Sequence, residues 1–130
     1  MAITVVRLGT PRGKNEGTRL GTVRRPPRGV RKEDYSRRDY FDLWLPELAP
    51  SAPVVSWALA EPFTAARWAR YEKTYRREMN QPAAQHLLQL LAALSQRANF
   101  SVGCYCEDET HCHRSILKSL LAEHGAALNR

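Results

Sequence analysis

The stretch NFSVGCYC at 99–106, followed after only four residues by a helical pattern, constrains the fold of this chain most. Apolar residues alternate with small or polar ones along it, as in a β-strand. The residues on one predicted face are Phe100, Val102, Cys104 and Cys106. The EDET segment at 107–110 predicts a turn, and a helix is expected from His111 to about His124, with Gly125 where a helix often ends. The predicted buried stripe of this helix consists of Ile116, Leu117, Leu120 and Leu121. A strand joined to a helix by a short turn is the basic unit of α/β proteins.

Two further stretches predict strands in the first part of the chain. Residues 2–8 are β-branched and apolar, and residues 18–23 give a weaker strand pattern. Prolines and glycines keep the segments 10–17 and 24–32 out of regular elements. Residues 39–48 are apolar enough for the core, but their period fits a short helix as well as a strand, which leaves them unassigned.

Two helices are predicted before residue 99. The first begins at Pro62, which fits a first helical position, and runs to about Met79. Its predicted core residues are Trp68, Tyr71, Tyr75 and Met79. Asn80 is expected to cap the second helix, which has Pro82 in its first turn. The predicted buried stripe of that helix consists of Leu87, Leu88, Leu91 and Leu94.

Together these patterns predict a single α/β domain over residues 1–130, with a small, mainly parallel sheet and helices on its faces. A chain of 130 residues that is 43% hydrophobic supports one core of that kind. No stretch is long and apolar enough for a membrane span, and the N-terminal apolar run is too short for a secretory signal. We therefore expect a cytosolic, cytoplasmic protein in which the three cysteines remain thiols.

Positive charge is concentrated in a basic N-terminal third, residues 1–38. This segment holds eleven Lys or Arg and three Asp or Glu, whereas residues 39–130 hold nine and ten. A field of that sign attracts nucleic acid or phosphorylated small molecules, and we expect Arg24 and Arg28 to contact such a ligand. A solvated basic surface without a partner is the alternative, because net charge by itself determines only solubility and nonspecific association.

All three cysteines, two of the four histidines and one arginine lie within CYCEDETHCHRS at 104–115. In parallel α/β sheets, ligands bind at the carboxyl ends of the strands, where helix N-termini offer free N–H groups. We predict a crevice there with Cys112 and His113 as catalytic residues, and we expect the helix N-terminus to lower the pKa of the Cys112 thiol. Arg114 and Ser115 are the predicted ligand-binding residues at the helix start, because a guanidinium binds phosphate through two hydrogen bonds.

Metal binding and simple burial are alternative interpretations of the cysteines. On one strand face, Cys104 and Cys106 would be about 6.6 Å apart, too far for two sulfurs on one zinc ion at about 2.3 Å each. We therefore predict no metal and no other cofactor. Free cysteine is among the most buried residue types, so both side chains are expected in the core. For Arg114, pairing with the acidic turn at 107–110 is the structural alternative.

The order of several short motifs resembles a known family. The spacing C-x7-C-H-R-S that begins at Cys104 is similar to the C-terminal signature of the domain-of-unknown-function 488 (DUF488) family. Upstream, PRGV at 27–30, LWLPELAPS at 43–51 and RYEKTYRREM at 70–79 follow the order of its YeaO-like branch. Unlike that branch, which usually has an Asp-Arg pair, the chain has valine before Arg24. The resemblance implies a compact α/β domain and no defined reaction.

These observations predict a small protein whose Cys-His-Arg crevice binds a phosphorylated or nucleic-acid-like ligand and is positioned to process it. Two alternatives remain: a non-catalytic nucleic-acid or protein-binding regulatory module, and a metal-stabilised interaction protein. An enzyme should lose activity but keep its stability when Cys112 or His113 is changed. A module should lose only affinity, and a metalloprotein should unfold with a chelator.

Overall fold

A computed structural model describes residues 1–106 and 111–129; the turn predicted at 107–110 lies outside the described residues. Within the described parts, the strands are β1 (Ile3–Arg7), β2 (Thr18–Gly21), β3 (Leu43–Trp44) and β4 (Phe100–Cys104). The α-helices are α1 (Ala52–Ala60), α2 (Ala65–Met79), α3 (Pro82–Ser95) and α4 (His113–Glu123). Short 3-10 helices span Lys32–Asp34 and Pro46–Leu48. None of these helices is long and apolar enough to cross a membrane.

The strands form one parallel sheet in the order β1-β4-β2-β3. β4 comes last in the sequence but lies near the centre, where Val102 is aligned with Val5 of β1 and Leu20 of β2. All five residues of β4 are buried, as is typical of a central parallel strand. The predicted parallel α/β architecture is confirmed.

Helices and loops cover opposite faces of the sheet. Side chains alternate along β4, so Val102 and Ser101 point to different faces. Val102 packs in one core cluster with helix residues such as Tyr75 and Leu117. On the other face, the Ser101 hydroxyl donates a hydrogen bond of 2.6 Å to the Glu16 carboxylate in the loop between β1 and β2. The helices therefore pack mainly on one face.

Two arginines of the basic third form ion pairs with carboxylates of the same chain. Arg19 is fully buried, and its guanidinium donates hydrogen bonds of 2.7 and 2.9 Å to the Glu16 carboxylate. Arg12 donates two to the Asp42 carboxylate, at 2.7 and 2.8 Å. Because their charges are neutralised locally, these two cations contribute little to the field that composition predicts for residues 1–38.

The predicted strands 2–8 and 18–23 are confirmed, but three helix boundaries differ from the prediction. α4 begins at His113 and not at His111. α2 begins after Thr64 and not at Pro62, because the Thr64 hydroxyl caps the helix by accepting a hydrogen bond of 3.2 Å from the Arg67 N–H. Asn80 is the last residue associated with α2, and Gln81 precedes α3 as its N-cap. The predicted cap is therefore displaced by one residue, while a proline does occupy the first turn of α3.

No sequence pattern predicts α1. Its residues are apolar on nearly all sides, so no helical period stands out. Trp57 of α1 lies against the guanidinium of Arg67 from α2, 4.0 Å from the ring centroid, which ties the two helices together. The unassigned segment 39–48 contains β3 and then a 3-10 helix, which explains its mixed period.

The core faces of the predicted helices are largely confirmed. The buried residues of α2 are Tyr71, Tyr75 and Met79, with Trp68 partly buried. In α4 the predicted stripe is buried, and Gly125 follows with a φ of +84°. On α3, Leu88 and Leu91 are buried but Leu94 is 45% exposed, so its predicted burial is wrong. Ser95 is buried instead, because the turn of the helix from one residue to the next places Ser95 toward the core.

Candidate functional site

A cavity of about 480 Å³ opens at the carboxyl ends of β2 and β4, beside the N-terminus of α4. Its wall combines cationic side chains from the loop after β2 with thiols and imidazoles from the second half of the chain. These residues are Arg24, Arg25, Arg28, Cys104, Cys106, Cys112, His111 and His113. The structure therefore brings the predicted catalytic residues and the predicted basic residues Arg24 and Arg28 into one cavity.

The three cysteines form one cluster in the cavity wall. Their Sγ atoms all lie within 4.8 Å of one another, and those of Cys104 and Cys112 are 2.8 Å apart. The separation expected for Cys104 and Cys106 on one extended strand is therefore wrong. β4 ends at Cys104, so the chain turns before Cys106 and brings its sulfur back towards the other two.

Burial differs sharply within this cluster. Cys104 is 1% exposed and Cys112 is 2% exposed, which confirms the expected burial of Cys104. Cys106 is exposed at the cavity, so the expectation that it is a core residue is wrong. It lies beyond the last residue of β4, where strand alternation no longer directs its side chain into the core.

The cluster concentrates negative charge on one sulfur. Hydrogen bonds from the thiols of Cys104 and Cys112 lower the pKa of Cys106 far below its ordinary value, and the positive charge of Arg114 lowers it further. The contact with Cys106 raises the pKa of Cys104, and the contacts with Cys104 and Cys106 raise the pKa of Cys112. The helix N-terminus therefore does not produce the low Cys112 pKa that the sequence predicts, and the thiol whose pKa is lowered is the exposed one, Cys106.

His113 is held as a neutral base beside Cys112. It is 7% exposed, and its Nε2 lies 2.6 Å from the Thr22 carbonyl oxygen. Because a carbonyl only accepts hydrogen bonds, Nε2 carries the proton and Nδ1 has a free lone pair. That Nδ1 lies 3.6 Å from the Cys112 sulfur, close enough to take the proton of its thiol. Burial lowers the pKa of His113, which keeps the ring neutral near pH 7.

The basic loop after β2 has one anchored and two exposed arginines. The Arg24 guanidinium donates hydrogen bonds to the Pro50 carbonyl at 3.0 Å and to the Ala49 carbonyl at 3.2 Å, which fixes the loop against the start of α1. Arg25 and Arg28 are exposed at the cavity. These two guanidinium groups are the ones best placed to meet an incoming anion.

Arg114 and Ser115 have internal hydrogen bonds. Arg114 is 5% exposed, and its Nη2 donates a hydrogen bond of 2.9 Å to the Cys106 carbonyl. The Ser115 hydroxyl donates to the Cys112 carbonyl, also at 2.9 Å. Neither is among the described residues that line the cavity. Arg114 thus supports the cysteine cluster from behind, and ligand contact by either residue stays a prediction.

Aromatic side chains form the wall next to the start of α4. Phe63 stacks on His111 with ring centroids 6.0 Å apart and contacts the edge of Tyr71 at 5.7 Å. Tyr75 of α2 contacts the His113 ring edge-on, with ring centroids 5.6 Å apart, so α2 helps to position the first turn of α4. The cavity therefore has an apolar, aromatic side as well as a cationic one.

The family relationship follows from nearly the whole chain. A family model described as the active DUF488-N3 subclade matches residues 3–125. The chain belongs to the DUF488-N3a family. This match confirms the DUF488 resemblance of the sequence, whereas the finer YeaO-like assignment stays a prediction. Neither the curated proteins nor the solved structures give a match.

In this DUF488-N3a protein, sequence reasoning missed two features of the site. Cys106 is the exposed thiol, a feature signalled only by its position two residues past a strand end. The aromatic wall of Phe63 and Tyr71 has no sequence signal, because it depends on how α2 packs against α4.

Proposed function

We propose that this DUF488-N3a protein is a cytoplasmic thiol-dependent enzyme that binds a phosphorylated or nucleic-acid-like ligand in the cavity after β2 and β4. One observation carries the proposal: the exposed arginines of the basic third line the same cavity as the cysteine cluster and its imidazole base. The description of the family as active agrees with an enzyme. Three free thiols suit the reducing cytoplasm.

Anion binding is assigned to Arg25 and Arg28. Both side chains are exposed at the cavity mouth, and guanidinium groups bind phosphate oxygens through paired hydrogen bonds. Arg24 holds their loop in place through its hydrogen bonds to the backbone of Ala49 and Pro50. The aromatic wall beside them offers a surface on which a nucleobase stacks.

Chemistry is assigned to Cys112 and His113. The thiol gives its proton to Nδ1 of His113 as its sulfur bonds to an electrophilic centre of the ligand, and the leaving group takes that proton back. The Thr22 carbonyl holds the ring in the tautomer that this transfer requires. Because the pKa of Cys112 is raised, the thiol depends on His113 for its activation.

Binding is tested with a 5′-phosphorylated single-stranded oligonucleotide, titrated at increasing salt. The double variant Arg25→Gln, Arg28→Gln should bind more weakly, and its salt dependence should be flatter by about 0.7 for each phosphate that it no longer neutralises. The double variant Lys73→Gln, Arg97→Gln removes two exposed cations outside the cavity lining and is the matched control. Equal weakening in the control and the double variant would contradict the assigned binding residues.

Chemistry is tested separately with Cys112→Ser. This variant should keep the affinity of the wild type for the oligonucleotide and lose any conversion of it, as followed by mass spectrometry of the ligand. Cys112-independent conversion would refute the assigned nucleophile. Binding without any conversion by the wild type would instead favour the non-catalytic nucleic-acid module.

A further inference from the structure

The three thiols have unequal access to solvent but lie within reach of one another. Cys106 is exposed at the cavity, whereas Cys104 and Cys112 are buried behind it. All three Sγ atoms lie within 4.8 Å of one another. Cys106 is therefore the sulfur most open to small molecules, and two less exposed sulfurs in the same cavity wall are close enough to react with it.

The geometry favours sulfur–sulfur chemistry over a bound metal ion. Two thiolates on one tetrahedral zinc at about 2.3 Å each are about 3.8 Å apart. The sulfurs of Cys104 and Cys112 are 2.8 Å apart, closer than such ligands. Among the described residues the cluster also comprises three ligands and not the four of a structural zinc site.

We propose that this cluster is an oxidation site for hydroperoxides, in which Cys106 reacts first, Cys112 captures the oxidised sulfur, and the product is a buried Cys104–Cys112 disulfide. The charge distribution agrees with this order, because the reactive form of a cysteine is the thiolate and the cluster holds its thiolate on Cys106.

The first step oxidises Cys106. Its thiolate attacks one oxygen of hydrogen peroxide, so that an S–O bond forms and the O–O bond breaks. The departing hydroxide takes a proton from solvent and leaves as water. Cys106 is then a sulfenic acid, and the peroxide has gained two electrons.

The second and third steps move the oxidation inward. The Cys112 thiol passes its proton to Nδ1 of His113 and attacks the Cys106 sulfur; the S–S bond forms, the S–O bond breaks, and hydroxide leaves with the His113 proton as water. The Cys104 thiol then displaces Cys106 from Cys112, and its proton passes to the released Cys106 sulfur. The two buried cysteines have together lost two electrons.

This inference rests on the proposed function in one respect: the disulfide occupies the Cys112 sulfur, so peroxide would stop Cys112-dependent conversion reversibly. The oxidation itself needs neither the ligand nor the arginines of the basic loop. The double variant Arg25→Gln, Arg28→Gln should therefore lose oligonucleotide binding and still form the disulfide. Loss of one property without the other separates failure of the oxidation site from failure of the proposed function.

The test treats reduced, metal-free protein with one equivalent of hydrogen peroxide, blocks free thiols by alkylation, and maps the products by mass spectrometry. Wild type should form the Cys104–Cys112 disulfide, and a dithiol reductant should restore both thiols. Cys106→Ser should form the Cys104–Cys112 disulfide at least about tenfold more slowly than wild type, because only thiols with raised pKa remain. Since Cys106 is exposed, serine leaves no buried cavity in this variant, and circular dichroism checks that it is folded.

Two further variants fix the order of steps. Cys104→Ser should stop at a Cys106–Cys112 disulfide, and Cys112→Ser should accumulate the Cys106 sulfenic acid, trapped by a carbon nucleophile. Oxidation of Cys106→Ser at the wild-type rate would overturn the proposal. So would sulfinic acid on Cys106 without any disulfide, or a purified protein in which one tightly held metal ion protects all three thiols from peroxide.

Discussion

Glu16→Gln should be among the most destabilising single-atom changes in this protein. The Glu16 carboxylate accepts two hydrogen bonds from the fully buried guanidinium of Arg19 and one from the Ser101 hydroxyl. Glutamine replaces one acceptor oxygen with an NH2 group, which faces donors in this position. The change also leaves the Arg19 charge without a counterion in a site that is 0% exposed.

Two estimates of the magnitude agree. Breaking a buried ion pair by removing one partner costs about 3–5 kcal/mol. Burial alone would raise the pKa of Glu16, but hydrogen bonds from Arg19, Ser101 and the Gly13 N–H lower it from 4.5 to about 2. A pKa that is lower by this amount in the folded state adds about 3 kcal/mol to the free energy of unfolding at neutral pH. For a domain of this length, about 3 kcal/mol lowers the melting temperature by about 10 °C.

The assay is denaturant unfolding followed by circular dichroism, with wild type, Glu16→Gln and the exposed control Glu33→Gln measured across pH. Because the pKa of Glu16 is lower in the folded state, its stabilisation is complete above the unfolded value of 4.5 and declines as pH falls towards 2. The gap between wild type and Glu16→Gln should therefore be constant near neutrality and close in acid. A gap under about 1 kcal/mol, or one that persists in acid, would refute the reasoning.

Two further predictions concern backbone geometry and His113. Gly17→Ala should destabilise the fold by more than about 3 kcal/mol, because a Cβ there would lie 1.9 Å from the Asn99 carbonyl oxygen at a φ of +77°. Gly125→Ala, with a φ of +84° and open space, should cost only about 1 kcal/mol in the same denaturant-unfolding assay. Because burial lowers the pKa of His113 in the folded state, wild type should lose stability as pH falls below about 6.5, by up to about 1.4 kcal/mol per pH unit relative to His113→Gln. A gap between them that does not change from pH 8 to pH 5.5 would show that burial does not hold His113 neutral.

The elements that the sequence predicts well are those whose pattern follows local geometry. Residues 2–8 and 99–106 alternate or are β-branched, and both contain strands of the sheet. The core faces of α2 and α4 follow the helical period and are buried as predicted. α1 is not predicted because its apolar residues lie on nearly all sides of the helix and show no helical period. The packing of Trp57 against Arg67 of α2 holds the helix in place.

The candidate site is also predicted from the sequence only in part. The clustering of cysteine, histidine and arginine at 104–115 is visible in the sequence, as is its position after a strand and before a helix. The roles of individual residues are not. Cys106 is exposed because the strand ends two residues before it. Arg114 donates a hydrogen bond to the Cys106 carbonyl, and this contact depends on the path of the backbone, which no residue pattern predicts.

The sequence by itself determines a parallel α/β unit with reactive side chains at its strand-to-helix turn, because periodicity and local propensity act over a few residues. Only the tertiary structure decides which distant groups meet there. The insertion of β4 between β1 and β2 brings the loop after β2 beside the end of β4, so Arg25 and Arg28 share a cavity with cysteines about 80 residues away in the chain. It also decides that Arg19 neutralises Glu16 inside the protein while Arg25 stays at the surface, because burial forces a charge to find a partner and exposure does not.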